Sequence, residues 1–457
     1  MNRLVVVSNR VALPRETRAG GLASALDAAL RERGGLWFGW SGNLAEAGDP
    51  AIHSEQAGRV EYALLDLTRQ DYEHYYLGFS NRALWPLLHF RPTLLGYRRA
   101  DRDGYLRVNR LFAHHLSQRL RPDDTVWVHD YHLIPLAAEL RRIGVDARMG
   151  FFLHIPVPPP ALLSMLPHHE ALLGTLADYD LVGVQGSHDR DALLAYFREF
   201  LGATTDAGGL ATLPSGRRVR IGAFPIGIDA GKVARLAERS VEHAATLRLA
   251  QSLAGRRLAI GVDRLDYSKG LPQRFEAFAH FLSQHPAWRS RISFLQIAPP
   301  SRGEVPEYRE LRTRLERTAG ATNGRYAEPD WVPIRYLNRS FNQATLAGYY
   351  RLADIGLVTP LRDGMNLVAK EYVAAQAPAD PGVLVLSCFA GAADELPEAL
   401  LVNPLDVDDI ADAIETALAM PLEERRERWQ RMFATISRND ITHWRSTFVA
   451  ALEQPAA

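Results

Sequence analysis

The chain has 457 residues, which at about 150 residues per domain corresponds to two large domains or three smaller ones. Apolar residues make up 47% of the chain and charged residues 23%, an ordinary globular composition that excludes disordered, collagen-like and coiled-coil classes. The 53 Lys and Arg residues balance the 53 Asp and Glu residues, so the chain lacks the positive surplus typical of proteins that bind nucleic acid or an anionic membrane.

The single cysteine, Cys388, cannot form an internal disulfide or a thiolate zinc site, which favours a cytoplasmic location. The first residues lack the long apolar core and small-residue cleavage site of a signal peptide. No apolar run approaches the ~20 residues of a membrane-spanning helix. We therefore expect a soluble intracellular protein that binds small molecules, with neither nucleic acid nor membrane as a partner.

Short apolar runs bounded by turn residues recur along the chain, as is typical of parallel strands covered on both faces. The predicted strands are Leu4–Ser8, Thr125–Val128, Met149–Leu153, Leu181–Val184, Val219–Ala223, Leu258–Val262, Ile292–Ile297, Ile355–Val358 and Val383–Leu386. Helical patterns lie between them, among them Ala23–Arg33, Gln273–Ser283 and Asn366–Gln376. This alternation predicts a doubly wound α/β fold.

Each half of the chain holds at least four predicted strands, enough for a sheet of its own. We place the boundary near residues 226–240, which gives one domain over residues 1–230 and a second over residues 231–439. The amphipathic segment His443–Leu452 lies in the remaining residues 440–457 and is expected to pack back on the first domain. The sequence contains no Gly-x-Gly dinucleotide fingerprint, P-loop, Gly-x-Ser-x-Gly elbow or His-Glu-x-x-His motif.

Three loops that follow predicted strands carry residues suited to anion binding. After the first strand, Gly20 and Gly21 open a helix and would let backbone N–H groups approach an anion; the alternative is an ordinary loop that needs a left-handed turn. After Val262, the cations Arg264 and Lys269 suit a diphosphate, the alternative being solvated surface charges. Lys269 is one of only three lysines among the 53 basic residues, which favours a specific role.

The third loop, Thr359–Met365, leads into a helix near Asn366, whose N-terminal N–H groups would carry a partial positive charge. Asn366 is equally suited to act as a plain N-cap. One turn further on, Glu371 could accept both hydroxyl groups of a ribose, or could merely complement the helix dipole as an acidic residue near the helix start.

Polar residues also follow the strands that end near Val128 and Leu153. His129, Asp130, His132 and His154 could suggest a metal site, but side chains at the ends of two strands need not converge, and ordering of a sugar fits better. The segment Asp406–Asp409 resembles an Asp-x-Asp metal motif but opens a helical pattern, so we interpret it as an N-cap. We expect no metal and no other cofactor.

The chain resembles the trehalose-6-phosphate synthases, a family of retaining glycosyltransferases, from residue 1 to about 445. The segments that carry the resemblance are Leu4–Arg10, Trp127–His132, Phe152–Pro156, Arg264–Gly270 and Pro360–Glu371. The resemblance implies the GT-B fold, with two Rossmann-like doubly wound parallel-sheet domains and the active site in the cleft between them. It also implies metal-independent transfer of glucose, with retention, from UDP-glucose to glucose 6-phosphate.

The resemblance also assigns individual residues. The acceptor would be held by Arg10, Tyr76, Trp85, Asp130 and Arg302. The nucleotide-sugar donor would be held by Gly20, Gly21, Arg264, Lys269, Phe341, Leu367, Val368, Ala369, Lys370 and Glu371. His154 and Asp363 would hold the transferred glucose and, with Asp130, form the catalytic set, whereas Trp85 and Ile155 would select the α-anomer. The sequence leaves open an ADP or GDP donor, a glycerol phosphate or cyclitol phosphate acceptor, a catalytically silent sugar-phosphate sensor, and a dimeric or tetrameric state.

Overall fold

The structure, a computed structural model, describes residues 3–13, 21–45, 52–301 and 305–454. The chain forms two compact units: unit 1 comprises Met1–Pro225 and Trp444–Ala457, and unit 2 comprises Ile226–His443. The chain therefore passes from unit 1 to unit 2 and returns once. Within the described ranges, no helix is both long enough and apolar enough to cross a bilayer.

Unit 1 is built on a mixed sheet of ten strands. They are β1 (Leu4–Arg10), β2 (Gly35–Ala45), β3 (Ile52–Ala57), β4 (Val60–Thr68), β5 (Thr125–His129), β6 (Arg148–Phe152), β7 (Leu181–Val184), β8 (Thr204–Thr205), β9 (Leu210–Thr212) and β10 (Arg218–Ala223). Their order is β3-β4-β2-β1-β5-β6-β7-β10-β9-β8. The central pairs are parallel, and only the outer pairs β3–β4, β9–β10 and β8–β9 are antiparallel.

The central strands of unit 1 are buried on both faces by helices. The helices are α1 (Gly21–Arg33), α2 (Arg69–Asp71), α3 (Trp85–Leu88), α4 (Arg99–Ser117), α5 (Leu136–Arg142), α6 (Pro160–Leu163), α7 (His169–Leu173) and α8 (Ser187–Leu201). Between α2 and α3 the chain stays helical over Tyr72–Leu84 but is wound as a π-helix, a form that occurs mostly in short pieces at functional sites.

Unit 2 is built on six parallel strands in the order β13-β12-β11-β14-β15-β16. They are β11 (Arg257–Val262), β12 (Ile292–Ile297), β13 (Ile334–Leu337), β14 (Ile355–Val358), β15 (Val383–Ser387) and β16 (Leu400–Val402). Its helices are α9 (Ala230–Ser240), α10 (Ala244–Leu253), α11 (Leu271–Gln284), α12 (Pro306–Tyr326), α13 (Gln343–Leu352), α14 (Leu367–Ala375), α15 (Val407–Ala419) and α16 (Leu422–Arg438). In its core, Phe275 and Phe278 of α11 pack on Phe294 of β12, and Phe281 packs on Phe278.

The last helix, α17 (Ile441–Glu453), starts at the end of unit 2 and continues into unit 1. There the rings of Trp444 and Phe448 lie 4.9 Å and 4.7 Å from the ring of Trp127 in β5. Gly150 and Gly183 face the ring of Phe448, because a Cβ atom at either position would crowd it. The helix therefore covers the middle of the unit 1 sheet.

The predicted α/β class is confirmed, and all nine predicted strands are present with boundaries that agree to within two residues. The sequence analysis did not single out β2, β3, β4, β8, β9, β13 and β16. In β4, polar Glu61 and Asp66 limit the apolar run to the four residues between them, and β16, although apolar throughout, is only three residues long.

Candidate active site

The strand order of unit 2 reverses between β11 and β14, and open α/β sheets bind ligands at such a switch point. Lys269 lies in the loop after β11 and Asp363 in the loop after β14. Their side chains meet there, with Nζ of Lys269 2.5 Å from Oδ2 of Asp363. Both side chains are largely buried, being 16% and 15% exposed. The structure thus joins two predicted site residues from separate motifs.

Asn366 connects this ion pair to helix α14. Its Nδ2 donates to Oδ2 of Asp363 at 3.0 Å, and its Oδ1 accepts from the backbone N–H of Ala369 at 3.3 Å. The N-cap interpretation is therefore confirmed, with Asn366 in the left-handed region at φ 84°. The helix begins at Leu367 and Val368, whose first-turn N–H groups have no acceptor within the helix and suit an anion.

Arg274 holds the two loops together, and the sequence analysis missed it. Its side chain is fully buried in helix α11. Nη1 donates to Asp263 at 2.7 Å and to Gln296 at 2.9 Å, Nε donates to Thr359 at 3.0 Å, and Nη2 donates to the carbonyl of Lys269 at 3.3 Å. One guanidinium therefore fixes the ends of β11, β12 and β14.

A sequence signal for this role existed. Arg274 lies between Leu271, Phe275 and Phe278, on the stripe that α11 turns to the core. A charged residue on such a stripe must have buried partners, because a buried unpaired charge is costly. Asp263, at the end of the preceding strand, is that partner.

The rest of the first loop is shaped by a close backbone approach. Gly270 has φ 65°, and a Cβ atom there would overlap the carbonyl oxygen of Thr359, so glycine is required on both grounds. Arg264, from the same loop, is half exposed, with Nη2 4.0 Å from Oδ2 of Asp266. Lys269 is thus held by Asp363, whereas the Arg264 guanidinium extends toward solvent.

Two consecutive residues of α14 differ sharply in environment. Glu371 is partly buried, and burial raises the pKa of its carboxyl to about 7. Lys370 is fully buried, and its Nζ donates to Oε2 of Glu395 at 2.5 Å and to the carbonyl of Ile226 at 2.8 Å. The ammonium group of Lys370 thus has two acceptors inside unit 2, and the assignment of this residue to the donor site stays a prediction.

The remaining predicted donor residues that the structure describes are Phe341 and Gly21. Phe341 is partly buried and packs on Tyr349, with the guanidinium of Arg339 4.9 Å from the centre of its ring. Gly21 is the first residue of α1. Gly20 and the predicted acceptor residue Arg302 lie outside the described residues.

Unit 1 has its own switch point, between β1 and β5. Arg10 ends β1 and is exposed. Next to it, Oδ1 of Asn9 accepts from the hydroxyl of Tyr75 at 2.8 Å. This bond ties the end of β1 to the π-helical segment and so fixes the position of Tyr76.

Tyr76 is partly buried within a stack of rings. Its ring lies nearly parallel to that of His132, at 5.9 Å and 11°, and also stacks on Tyr72. Trp85, which is 5% exposed, packs 5.6 Å from the ring of Tyr131. The structure thus places Tyr76 and Trp85 against the two residues that directly follow Asp130.

Asp130 directly follows β5 and has φ 76°, a left-handed conformation that is uncommon for residues other than glycine. Its Oδ1 accepts from the backbone N–H of His154 at 3.3 Å. Strained backbone of this kind persists where the surroundings impose it, and often at functional sites. Asp130 and His154 are therefore adjacent, and buried Ile155 follows directly.

His129 and His154 converge, contrary to the expectation that side chains from these two strand ends need not meet. Nδ1 of His129 lies 3.1 Å from Nε2 of His154, and Nε2 of Gln185 lies 3.4 Å from Nδ1 of His154. Because an amide nitrogen only donates, His154 accepts at Nδ1 and carries its proton at Nε2. His129 and Gln185 thus orient His154, a role that the sequence analysis did not assign.

Burial keeps both imidazoles neutral. It lowers the pKa of His154 to about 3 and, together with the neighbouring His154, lowers the pKa of His129 well below its usual value. His154 is therefore uncharged at neutral pH, and both of its ring nitrogens have side-chain partners.

In the part of the chain that the structure describes, no three His, Cys, Asp or Glu side chains are grouped so that they could hold a metal ion. Asp406 instead caps helix α15, where its side chain accepts from the N–H groups of Asp408 and Asp409. The N-cap interpretation of this segment is confirmed.

A family model for "Glycosyltransferase family 20" matches residues 3–454. The chain belongs to glycosyltransferase family 20. A trehalose-6-phosphate synthase of Sinorhizobium fredii, a relative in sequence, is 50% identical over 455 residues, 98% of each chain.

Two solved structures of family 20 relatives contain ligands. One is an α,α-trehalose-phosphate synthase (UDP-forming) from Burkholderia xenovorans in complex with glucose-6-phosphate, 47% identical, with a TM-score of 0.96 over 99% of this chain and 100% of that one. The other is the Escherichia coli trehalose-6-phosphate enzyme bound with UDP-2-fluoro glucose, 47% identical, with a TM-score of 0.94 over 99% of both chains. The fold of family 20 is thus shown along nearly the whole chain.

Proposed function

We propose that this chain is a UDP-forming trehalose-6-phosphate synthase, which transfers glucose with retention from UDP-glucose to glucose 6-phosphate. The observation that carries the proposal is the Lys269–Asp363–Asn366 group at the switch point of unit 2, in a chain that matches family 20 over residues 3–454. Relatives that hold glucose-6-phosphate and UDP-2-fluoro glucose support the two substrates.

Unit 2 would bind the donor. As the bond from C1 to the diphosphate breaks, negative charge grows on the leaving UDP. Arg264, Lys269 and the first-turn N–H groups of α14 would meet that charge, and such preorganised stabilisation is usually the largest catalytic term. Lys269 would then shift part of its interaction from Asp363 to the phosphate. Glu371 would accept the ribose hydroxyls, with Phe341 and the pair Gly20–Gly21 completing the donor contacts.

Unit 1 would bind the acceptor. Arg10 and Tyr76 would hold the 6-phosphate, and the resemblance assigns Arg302 to the same phosphate. Asp130 would hold the acceptor sugar, and Trp85 with Ile155 would shape the pocket for the α-anomer. Neutral His154 would bind a hydroxyl group of the transferred glucose in place of one of its two partners, His129 and Gln185.

Retention follows if the 1-hydroxyl of the acceptor attacks from the face that the diphosphate leaves. A phosphate oxygen of the leaving group is then the natural base for the hydroxyl proton. The protein would contribute mainly positioning and charge stabilisation, both large effects. We also propose that the reaction needs no metal, since Arg264 and Lys269 supply two fixed positive charges beside the diphosphate.

The test incubates the purified chain with glucose 6-phosphate and a panel of UDP-, ADP- and GDP-glucose, with and without EDTA. We expect release of UDP, at a rate that EDTA leaves unchanged. Glycerol phosphate and a cyclitol phosphate serve as alternative acceptors. Turnover only with one of these would overturn the acceptor, absence of turnover with every pair would favour a silent sensor, and a rate lost in EDTA and restored by Mg²⁺ would overturn metal independence.

A cytoplasmic location is part of the proposal, since both substrates are charged sugar phosphates and the single cysteine, Cys388, fits a reducing compartment. A dimeric or tetrameric state stays a prediction, which light scattering on the purified chain would test.

A further inference from the structure

Lys370 is a charged group inside unit 2 that the proposed chemistry leaves without a role. Of the three lysines, Lys232 is exposed, Lys269 lies at the switch point, and Lys370 has a side chain that is 0% exposed. Its pair with Glu395, which is 10% exposed, is almost completely removed from water. A buried ion pair adds little to stability compared with an apolar pair of the same size, so its retention calls for another reason.

The Lys370–Glu395 pair joins helix α14 to the two segments where the chain enters and leaves unit 2. At the entry, Lys370 donates to the carbonyl of Ile226 at 2.8 Å. At the exit, Nδ2 of Asn439 donates to Oε1 of Glu395 at 3.0 Å. The two segments also touch directly, because a Cβ atom at Gly227 would overlap the carbonyl oxygen of Asn439.

The segment that carries Glu395 is also bonded to the loop that carries Asp363. The N–H of Gly391 donates to the carbonyl of Asp363 at 3.1 Å, and the N–H of Ala392 donates to the carbonyl of Met365 at 2.7 Å. Glu395 follows within one helical turn. The same pair is thus connected to both parts of the proposed donor site, the Asp363 loop and the start of α14.

We propose that Lys370 is a positioning residue, which through Glu395 fixes helix α14 and the Asp363 loop in the geometry that the donor diphosphate requires. Lysine suits this place better than arginine, because a single compact ammonium can meet one carboxylate and one carbonyl in a narrow buried space, whereas a guanidinium needs room for five donors. The inference rests on the proposed function, since the diphosphate is its assumed ligand.

The test compares Lys370→Met, Glu395→Met and the double variant, with Lys232→Met as the exposed control. Each single variant leaves one charge buried and unpaired, so we expect Tm to fall by several degrees. The double variant replaces the pair with two apolar side chains, so its Tm should return close to that of the unchanged protein. It cannot restore the bonds to Ile226 and Asn439.

A positioning role therefore predicts that the double variant recovers its Tm but not its affinity for UDP-glucose. At recovered Tm, its Kd for UDP-glucose should remain raised by about 10- to 100-fold, the loss expected when binding groups are displaced by about 1 Å. The KM for glucose 6-phosphate should stay unchanged, since the proposed acceptor residues of unit 1 are untouched. Amide hydrogen exchange over residues 363–375, measured without ligand, should be faster than in the unchanged protein.

Recovery of UDP-glucose affinity together with Tm, with unchanged exchange over residues 363–375, would overturn the positioning role and leave Lys370 purely structural. The exchange measurement needs no ligand and therefore tests the positioning role even if the donor is not UDP-glucose. The binding measurement takes the unchanged protein as its reference. If that reference binds no UDP-glucose, the proposed function fails, whatever the variants do.

Discussion

Glu371 is a proposed contact of the donor ribose, and its carboxyl group ionises near neutral pH. Burial raises the pKa of its carboxyl to about 7, so the group is largely protonated below that pH in the free protein. A carboxylate accepts hydrogen bonds from both ribose hydroxyls, whereas a carboxylic acid offers less acceptor capacity. Binding of UDP-glucose, which has no ionisation of its own near pH 7, should therefore expel the proton.

We expect the Kd for UDP-glucose to rise as pH falls from 8 to 5.5, by up to about tenfold per pH unit below pH 7. Titration calorimetry at several pH values measures this dependence. Glu371→Gln should bind more weakly at pH 8 and show a flatter profile. An equally steep profile in Glu371→Gln would assign the pH dependence to another group.

Glu371 also affects the stability of the fold, which should decrease as pH rises, whereas affinity for UDP-glucose should increase. Its pKa is higher in the folded chain than in the unfolded one, so the folded state binds more protons between about pH 4.5 and 7. The free energy of unfolding therefore decreases as pH rises through that window. Glu371→Gln should accordingly raise Tm more at pH 8 than at pH 5, as expected where a binding group is kept at the expense of stability.

Lys269 is the residue on which the proposed charge stabilisation depends most. Lys269→Ala should lower kcat by roughly 10²–10³, the usual loss when one preorganised donor to a developing charge is removed. Lys232→Ala, on the exposed face of α9, is the matched control and should keep its kcat. A Lys269→Ala protein with full kcat and a lowered Tm would show that the bond to Asp363 is only structural.

The buried pair of histidines makes a prediction for acid stability. The pKa of His129 lies well below 6.5 in the folded chain, so the unfolded chain binds more protons as pH falls below about 6.5. The free energy of unfolding should therefore decrease toward low pH, by up to about 1.4 kcal/mol per pH unit for each such histidine.

His129→Phe keeps an aromatic ring but removes one titration, so urea unfolding at pH 7.5 and 5.5 should show a smaller difference than in the unchanged protein. His114→Phe is the control, since His114 is exposed and should leave the difference as it is. An unaltered difference in His129→Phe would mean that His129 is not a neutral buried group.

At the scale of elements, Arg274 fixes the loops that follow β11 and β14 and binds the end of β12. Arg274→Met leaves buried Asp263 without its cation, which should cost about 3–5 kcal/mol of unfolding free energy. Arg274→Met with Asp263→Asn should recover part of that stability. Since the carbonyl of Lys269 would still lack its donor, affinity for UDP-glucose should not recover. Equal recovery of both quantities would show that Arg274 serves stability alone.

The elements that the sequence predicts best are the strands covered on both faces. Ile292–Ile297 and Leu181–Val184 are continuous apolar runs, and their predicted and observed limits coincide. The outer strands escaped prediction because burial on one face leaves polar residues in the run, as in Ile52–Ala57, where no residue is fully buried. Such strands are defined by pairing with a neighbour, which a single sequence does not display.

The same distinction applies to the site. Residues at the ends of strands could be predicted, because a motif and its place in a parallel sheet together imply where the side chain lies. The direction of a side chain within a helix could not: Lys370 belongs to the same motif as Glu371 but points into unit 2. Nor could Gln185 be assigned, because its contact with His154 joins two loops that are distant in sequence.

At the scale of the whole molecule, each unit carries its polar cluster at a switch point of its own sheet. In unit 2 this is Lys269 with Asp363, and in unit 1 it is Asp130 with His154. The two clusters differ in chemistry, since the first offers a lysine ammonium near the N–H groups of a helix start, and the second offers a carboxylate and a neutral imidazole, which suit sugar hydroxyls. Such a division suits a reaction between a nucleotide sugar and a second sugar.

The central claim is retaining transfer between two glucose units. It is tested most directly by ¹H NMR of the product formed from UDP-glucose and glucose 6-phosphate. The account predicts a single new disaccharide phosphate whose two anomeric protons both have the small coupling of α-linkages, with one UDP released for each product molecule. A product with one large anomeric coupling, which indicates a β-linkage, or release of UDP with free glucose as the only sugar product, would contradict it.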